Sequence, residues 1–343
     1  MEEKDSPKMQ GRRRFLETLV KGSVAGAAGL AAMRPLQAFS QEMMEIRGPR
    51  MPDRPIRQIS DHCYYFLADG PFPTAENQGF MGNIGVVITE KGVVIIDSGA
   101  SVQIGEMVLR QLKKLTDKPV VAVFNTHYHG DHWMGNHAFV NAYPDVPIYA
   151  HPECTKAIKG TQGTFWKGLL NRSTDNAIAG TIITPPNKDA GHGDEFDFGD
   201  VTLRVHHYGT AHTPTDLTIE VVEDRVTYVG DVAMANRIAN MDDGSYLGTF
   251  ETMDKLEANT NTISWVPGHG AFGPDVLKRN RELFEGIYRS VEKYYDQGLM
   301  DYEMKDKILE DPRVAKYQQW YGFKSTIGRY ISIAYLEVEK NIW

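Results

Sequence analysis

Thr126-His127-Tyr128-His129-Gly130-Asp131-His132 puts three imidazoles and a carboxylate within six residues. Neutral imidazole nitrogens and carboxylate oxygens are the donors that zinc and other first-row metals select. A lone histidine is usually a packed or surface residue. Four donors at alternating and adjacent positions crowd polar groups in a way that makes little structural sense without a cation. The other histidines lack this spacing: His137 and His151 lie near the motif but outside its pattern, and His206-His207 is a neighbouring pair of which at least one ring should face away from any site. Packing or surface roles are expected for all four. Cys63 and Cys154 are the only cysteines and lie far apart, so two separate small core residues are expected rather than a disulfide framework or a cysteine zinc site.

The elements that must position this motif can be read around it. Val120–Phe124 is an unbroken apolar run, suited to a buried strand, so the donors sit in the loop at its carboxyl end. Before it, Cys63–Ala68, Ile84–Thr89 and Val93–Asp97 read as strands separated by Gly-containing turns. Val102–Leu115 has apolar residues at helical spacing, with Ser101 as its cap. A second, similar set follows: strands Val201–His206, Leu217–Val222 and Val226–Val229, a helix over Phe250–Ala258 and a short strand Ile263–Val266. Amphipathic helices are expected within Pro274–Tyr295 and Ile327–Val338. The Gly-, Thr-, Asn- and Pro-rich stretch 152–195 reads as a long segment without elements, a feature usually reserved for covering a site. The Gly/Pro-rich loop holding Phe72, Phe80 and Met81 fits either a hairpin tip or a flexible substrate cover.

His127-x-His129-x-Asp131-His132 resembles the signature of the metallo-β-lactamase superfamily, and four further segments resemble that family's marks in order: Asp97-Ser98-Gly99, Gly209-Thr210-Ala211-His212-Thr213, Val229-Gly230-Asp231 and Pro267-Gly268-His269-Gly270. The similarity covers about residues 56–290. It implies an α/β fold, an αββα sandwich of two mixed β-sheets flanked by helices, with the site along one edge. It also implies that His127, His129 and His212 hold one metal, that Asp131, His132 and His269 hold another, and that Asp231 bridges them. Two zinc ions per chain suit this thiolate-free set, and iron or manganese would fit the same donors. Asp97 is expected to orient a ligand rather than bind metal. A metal pair can hold a hydroxide at neutral pH, with Asp131 orienting it for attack on a small ester, thioester or lactam. Lactam turnover should be weak, because Asp231 stands where the best-known lactamases have a cysteine. Mononuclear iron persulfide dioxygenases, which use a subset of these ligands, are the rival reading, and a non-catalytic metal-binding module is a second.

The 343 residues carry a formal net charge of -8, while the first 40 hold seven Lys or Arg against four Asp or Glu, so the body is more acidic than the average. Such a body disfavours nucleic acid as a partner. Gly11-Arg12-Arg13-Arg14-Phe15-Leu16 followed by a small-residue apolar run resembles a twin-arginine export signal. The run is shorter than the ~20 residues needed to span a bilayer. The expected organisation is a signal over 1–40, a linker over 41–55, and a catalytic domain over 56–343 ending in a helical extension. The expected partners are the twin-arginine machinery and a small-molecule substrate, and the expected location is the periplasm or another exported compartment, with no stable membrane span after processing. Phe72, Phe80, Phe165, Trp166 and Asn171 offer aromatic and amide contacts, with no run of basic residues to hold a highly charged substrate.

Overall fold

The computed structural model describes residues 46–342 except 239 and 240. The signal-like segment therefore lies outside the described residues, as do residues 41–45 of the expected linker. Residues 46–55 lie on the domain: Met51 is fully buried, and Arg54 makes an ion pair with Asp69.

Two sheets form the centre. The first joins β1 (Ile56–Gln58), β2 (Cys63–Phe66), β3 (Ile84–Thr89), β4 (Gly92–Ile96), β5 (Val120–Phe124), β6 (Ile148–Ala150) and β7 (Lys188–Asp189) in sequence order. Its first three pairings are antiparallel and the last three parallel. The second runs β12 (Ser264–Pro267), β11 (Val226–Gly230), β10 (Thr218–Val221), β9 (Thr202–His206) and β8 (Glu195–Asp197), with only β11 and β12 parallel.

Strand periodicity explains the layering. Successive side chains point to opposite faces, so Ile84, Val86, Val93 and Ile95 join an outer core with helix α1 (Val102–Leu115). Their neighbours Val87, Val94 and Ile96 meet Leu203, Val205, Ile219 and Tyr228 between the sheets. The α1 N-terminus is set by Ser101, whose hydroxyl accepts the Ile104 N–H. Gly85 is needed where Tyr228 crosses from the second sheet: a Cβ there would lie 2.5 Å from the Tyr228 ring. The Tyr228 hydroxyl donates to the Tyr64 carbonyl at 2.8 Å.

After β5 come two short helices, α2 (Gly130–Trp133) and α3 (Asn136–Ala142). Residues 152–195, expected to lack elements, instead hold α4 (Pro152–Ala157), a π-helical turn (Ile158–Gln162), α5 (Gly163–Ser173) and strand β7, and end where β8 begins. The reason is local: His151 and Pro152 start α4, and α5 buries Trp166 and Leu170, an apolar face too narrow to stand out among the polar residues. On the far side of the second sheet, α6 (Tyr246–Asn259) and α7 (Val276–Tyr295) bury Met253, Leu256, Val276 and Leu277 against Val229 and Trp265. The chain ends in α8 (Asp301–Leu309), α9 (Pro312–Ala315) and α10 (Phe323–Ile342), which share a separate core with α7 through Met304, Ile308, Val314, Ile327 and Ile331. The expected αββα sandwich is the observed architecture. Cys63 and Cys154 are both free and buried. No helix among the described residues is long and apolar enough to cross a membrane.

Candidate metal centre

Parallel pairing of β4 with β5 and of β11 with β12 brings four strand ends to one edge. Asp97 follows β4, His127 and His129 follow β5, Asp231 follows β11 and His269 follows β12. The α2 turn adds Asp131 and His132, and the loop before β10 adds His212. Gly268 lets the two last strand ends converge: a Cβ at that position would fall 2.0 Å from Asp231 Oδ1.

The seven residues form two adjoining groups of buried donors, His127, His129, His212 and Asp231 in one and Asp131, His132 and His269 in the other. His132 Nε2 lies 3.3 Å from Asp131 Oδ2 and 3.4 Å from Asp231 Oδ1. His269 Nε2 lies 3.4 Å from Asp131 Oδ2 and 3.2 Å from Asp231 Oδ2, and His212 Nε2 lies 3.5 Å from Asp231 Oδ2. Zinc bonds of ~2.0–2.1 Å imply a tetrahedral edge of about 3.3–3.4 Å between ligand atoms. The donor spacing matches that edge. His127 Nε2, His132 Nε2, Asp131 Oδ2 and Asp231 Oδ1 are buried with no hydrogen-bond partner. Buried polar atoms are normally paired, so four such atoms at one focus fit cations. Asp231 faces both groups.

The surrounding contacts fix which nitrogen of each ring is free. His132 Nδ1 donates to Asp97 Oδ2 at 2.8 Å, and Asp97 Oδ1 accepts the Thr126 N–H at 2.8 Å. Thr126 Oγ1 donates to Asp97 Oδ2 at 2.9 Å, so it accepts from His127 Nδ1 at 3.0 Å. His269 Nδ1 donates to the Met81 carbonyl at 2.6 Å. In His127, His132 and His269 the Nε2 lone pair is thereby left for a ligand. His129 is turned the other way: its Nδ1 lies 3.0 Å from His212 Nε2, while its Nε2 faces Asp243 Oδ2 at 3.6 Å. Asp97 itself has a φ of 60°, a left-handed conformation that Asp tolerates better than most residues. Asp216 folds the His212 turn by accepting the Thr213 N–H at 2.7 Å, and burial pushes its carboxyl up to about 7.

The electrostatics follow from crowding. Burial pulls His212 down to about 3 and His127 well below the usual imidazole range, with neighbouring imidazoles adding to the effect on His127. Burial also disfavours a charged His132, but Asp131, Asp231 and Asp97 outweigh it and hold its pKa well above 6.5. Burial would raise the Asp231 carboxyl, yet His269 and His132 keep it well below the carboxylate range.

The other candidates are placed as follows. His137 Nδ1 accepts the Ile182 N–H, His151 Nδ1 accepts the Glu153 N–H, His206 bonds Glu220, and His207 Nδ1 donates to the Asp216 carbonyl. None belongs to either donor group. Phe80 is fully buried and Met81 supplies the His269 acceptor, so that end of the Phe72–Met81 loop is part of the site wall, while Phe72 is 41% exposed. The Trp166 ring packs on His129 with centroids 4.7 Å apart. Sequence reasoning missed Asp243 and Arg237. The latter is buried at the site with its guanidinium 5.2 Å from the Phe72 ring, a single cation where the sequence shows no run of basic residues.

The fold and the paired donor groups define an αββα protein with two groups of candidate metal ligands at one edge. A family model described as the metallo-beta-lactamase superfamily matches residues 77–273, more than half of the chain, and the protein belongs to that superfamily. A linear primary-alkylsulfatase from Pseudomonas sp. is 25% identical over 289 residues, covering 72% of this chain and 54% of that protein. A hydroxyacylglutathione hydrolase from Trichormus variabilis is 28% identical over 164 residues, covering 47% of this chain and 54% of its own length. The chain thus spans about half the length of these relatives. Among solved structures, the sec-alkylsulfatase Pisa1 from Pseudomonas sp. has a TM-score of 0.64 at 16% identity, covering 83% of this chain and 50% of that one. A metallo-beta-lactamase from Pontibacter korlensis has a TM-score of 0.55 at 18% identity, covering 68% of this chain and 99% of its own. These similarities to solved structures bear on the fold.

Proposed function

We propose that this protein is an exported hydrolase with two metal ions, zinc in the first instance, acting on a small ester, thioester or lactam. The observation that carries the proposal is the focus of orphaned, buried donors at tetrahedral spacing on both sides of Asp231. His127, His129 and His212 would hold one ion, Asp131, His132 and His269 the other, and Asp231 both. Bound there, the metals would supply Lewis acidity and lower the pKa of water to near neutrality.

The chain's own residues do the rest. Asp97 and Met81 hold protons on His132 Nδ1 and His269 Nδ1, keeping both rings in the ligating tautomer. Asp131 would orient the attacking water, and Trp166 packs against the His129 ring. No Ser or Cys nucleophile is needed, and both thiols are buried. The named relatives, an alkylsulfatase and a hydroxyacylglutathione hydrolase, support an ester or thioester over a lactam. A mononuclear dioxygenase reading would leave Asp131, His132 and His269 buried without purpose. Export rests on the twin-arginine-like residues Arg12 and Arg13, and the segment His212-Thr213-Pro214-Thr215-Asp216 resembles that of exported metallohydrolases of this superfamily associated with sulfur oxidation and quinoprotein systems. Hydrolysis of an ester, thioester and lactam panel by metal-loaded protein tests the activity. Turnover lost on chelation and restored by zinc is expected, and no turnover of any member would overturn it.

A further inference from the structure

His151 and His207 stand outside both donor groups, yet their rings face each other between the two sheets. His151 follows β6 in the first sheet, and His207 follows β9 in the second. Their ring centroids are 4.5 Å apart, with planes inclined by 35°. The rings of His127, His129 and His212, which share one donor group, are 4.6, 4.8 and 5.1 Å apart. Two imidazoles that share a cation through nitrogen bonds of ~2.0–2.1 Å have centroids about 4.5 Å apart at a right angle and about 5.2 Å apart at the tetrahedral angle. The surface pair therefore has the spacing of ligands to one ion, at the right-angle end of the range.

Both rings are half-buried, and each is held by its Nδ1. His207 Nδ1 donates to the Asp216 carbonyl at 2.9 Å, which leaves the Nε2 lone pair open. His151 Nδ1 accepts the Glu153 N–H at 3.3 Å, a long cap at the start of α4. A cation on His151 Nε2 would move the proton to Nδ1 and displace only that one bond. Burial and the neighbouring His207 lower the His151 pKa, so the ring is neutral at pH 7, as a ligand must be. Glu153 and the exposed Asp189, which pairs with Ala150 on the adjoining strand, add negative charge nearby. His206 is not available to the pair, because its Nε2 is taken by Glu220 at 2.9 Å.

We propose that His151 and His207 form a separate, open site for one divalent first-row cation, with copper(II) and nickel(II) held more tightly than zinc. Affinity of nitrogen donors rises toward copper, and a right angle suits the square-planar or octahedral ions better than tetrahedral zinc. Water fills the remaining positions, so the ion exchanges with buffer more readily than one enclosed by buried donors. Because it clips the end of β6 to the end of β9, it also stabilises the folded state.

The test uses the full chain with the donor groups around Asp231 first filled with zinc, and nickel(II) chloride as the probe. Calorimetry reads nickel binding, and elemental analysis reads the zinc retained. Wild type should take one nickel ion beyond its zinc, with a rise in thermal midpoint. His151→Asn keeps a capping side chain on α4, and both it and His207→Gln should weaken nickel binding at least about tenfold, the least that loss of even a ligand's outer partner produces. His192→Gln should leave it unchanged, although His192 adjoins His207 and accepts its N–H at 3.4 Å. A measurement that needs no variant is NMR of wild type, in which substoichiometric copper(II) should broaden the ring protons of His151 and His207 before those of other histidines. No nickel uptake, or uptake matched by zinc release, would overturn the site. So would wild-type nickel affinity in folded His151→Asn and His207→Gln, which would mark the pair as ordinary ring packing.

Discussion

Asp97→Asn separates shape from proton placement at the metal edge. The carboxylate accepts the Thr126 N–H on one oxygen and the His132 Nδ1–H on the other. Asparagine has nearly the same outline and tolerates the left-handed φ of 60° at this position, so the backbone has no new strain to absorb. It has only one acceptor oxygen, however. If that oxygen keeps Thr126, the amide NH2 faces His132 and favours the tautomer with its proton on Nε2, the atom meant to bind metal. If the amide flips, the buried Thr126 N–H is orphaned instead. Loss of such an orienting partner typically weakens metal binding by about 10–100-fold, or roughly 1.4–2.7 kcal/mol. Competition against a chromophoric chelator, with unfolding followed in parallel, reads this directly. The ion held by Asp131, His132 and His269 should leave first while the metal-free protein melts close to wild type. Two ions held at wild-type affinity in Asp97→Asn would refute the tautomer argument.

Further outcomes follow from the same contacts. Asp231→Ala should bind about one ion or fewer, read by elemental analysis, because it removes the carboxylate shared by both donor groups; two tight ions in that variant would reject the bridge. His62 accompanies Asp224 at 2.7 Å, and this hydrogen bond raises the His62 pKa above 6.5. Its stabilisation should be complete below pH ~6.5 and fade as pH rises through the folded-state value. The cost of His62→Gln in chemical unfolding should therefore be larger at pH 6 than at pH 9, by roughly 0.5–1 kcal/mol, and an equal cost at both would contradict the assignment. Replacing Arg12 and Arg13 together by Lys should hold precursor in the cytoplasm in a fractionation assay, and unaltered export would remove the segment as a signal.

The donors nearest in sequence were the easiest to read, because strand β5 and its loop keep His127, His129, Asp131 and His132 together whatever the rest of the chain does. His212, Asp231 and His269 became legible only through family resemblance, since a single donor carries no spacing of its own. Strands β3, β4 and β5 announce themselves by apolar runs. By contrast β1, β7 and β8 are two or three residues long and partly exposed, too short for a period of two to show. Helices α8 and α9 were overlooked because each buries only one or two side chains, Met304 and Ile308 in one and Val314 in the other. Arg237 and Asp243 had no signal at all. One arginine and one aspartate in a charged chain look like surface residues until tertiary structure buries the first and sets the second beside His129.

The hydrolase proposal requires these seven side chains to hold two cations. Elemental analysis of folded protein purified without added metal, then dialysed against zinc and exchanged into metal-free buffer, tests it most directly. Two ions per chain, released together with activity by chelation and recovered on adding zinc back, are predicted. A folded protein that retains one ion or none under zinc-replete conditions would contradict it.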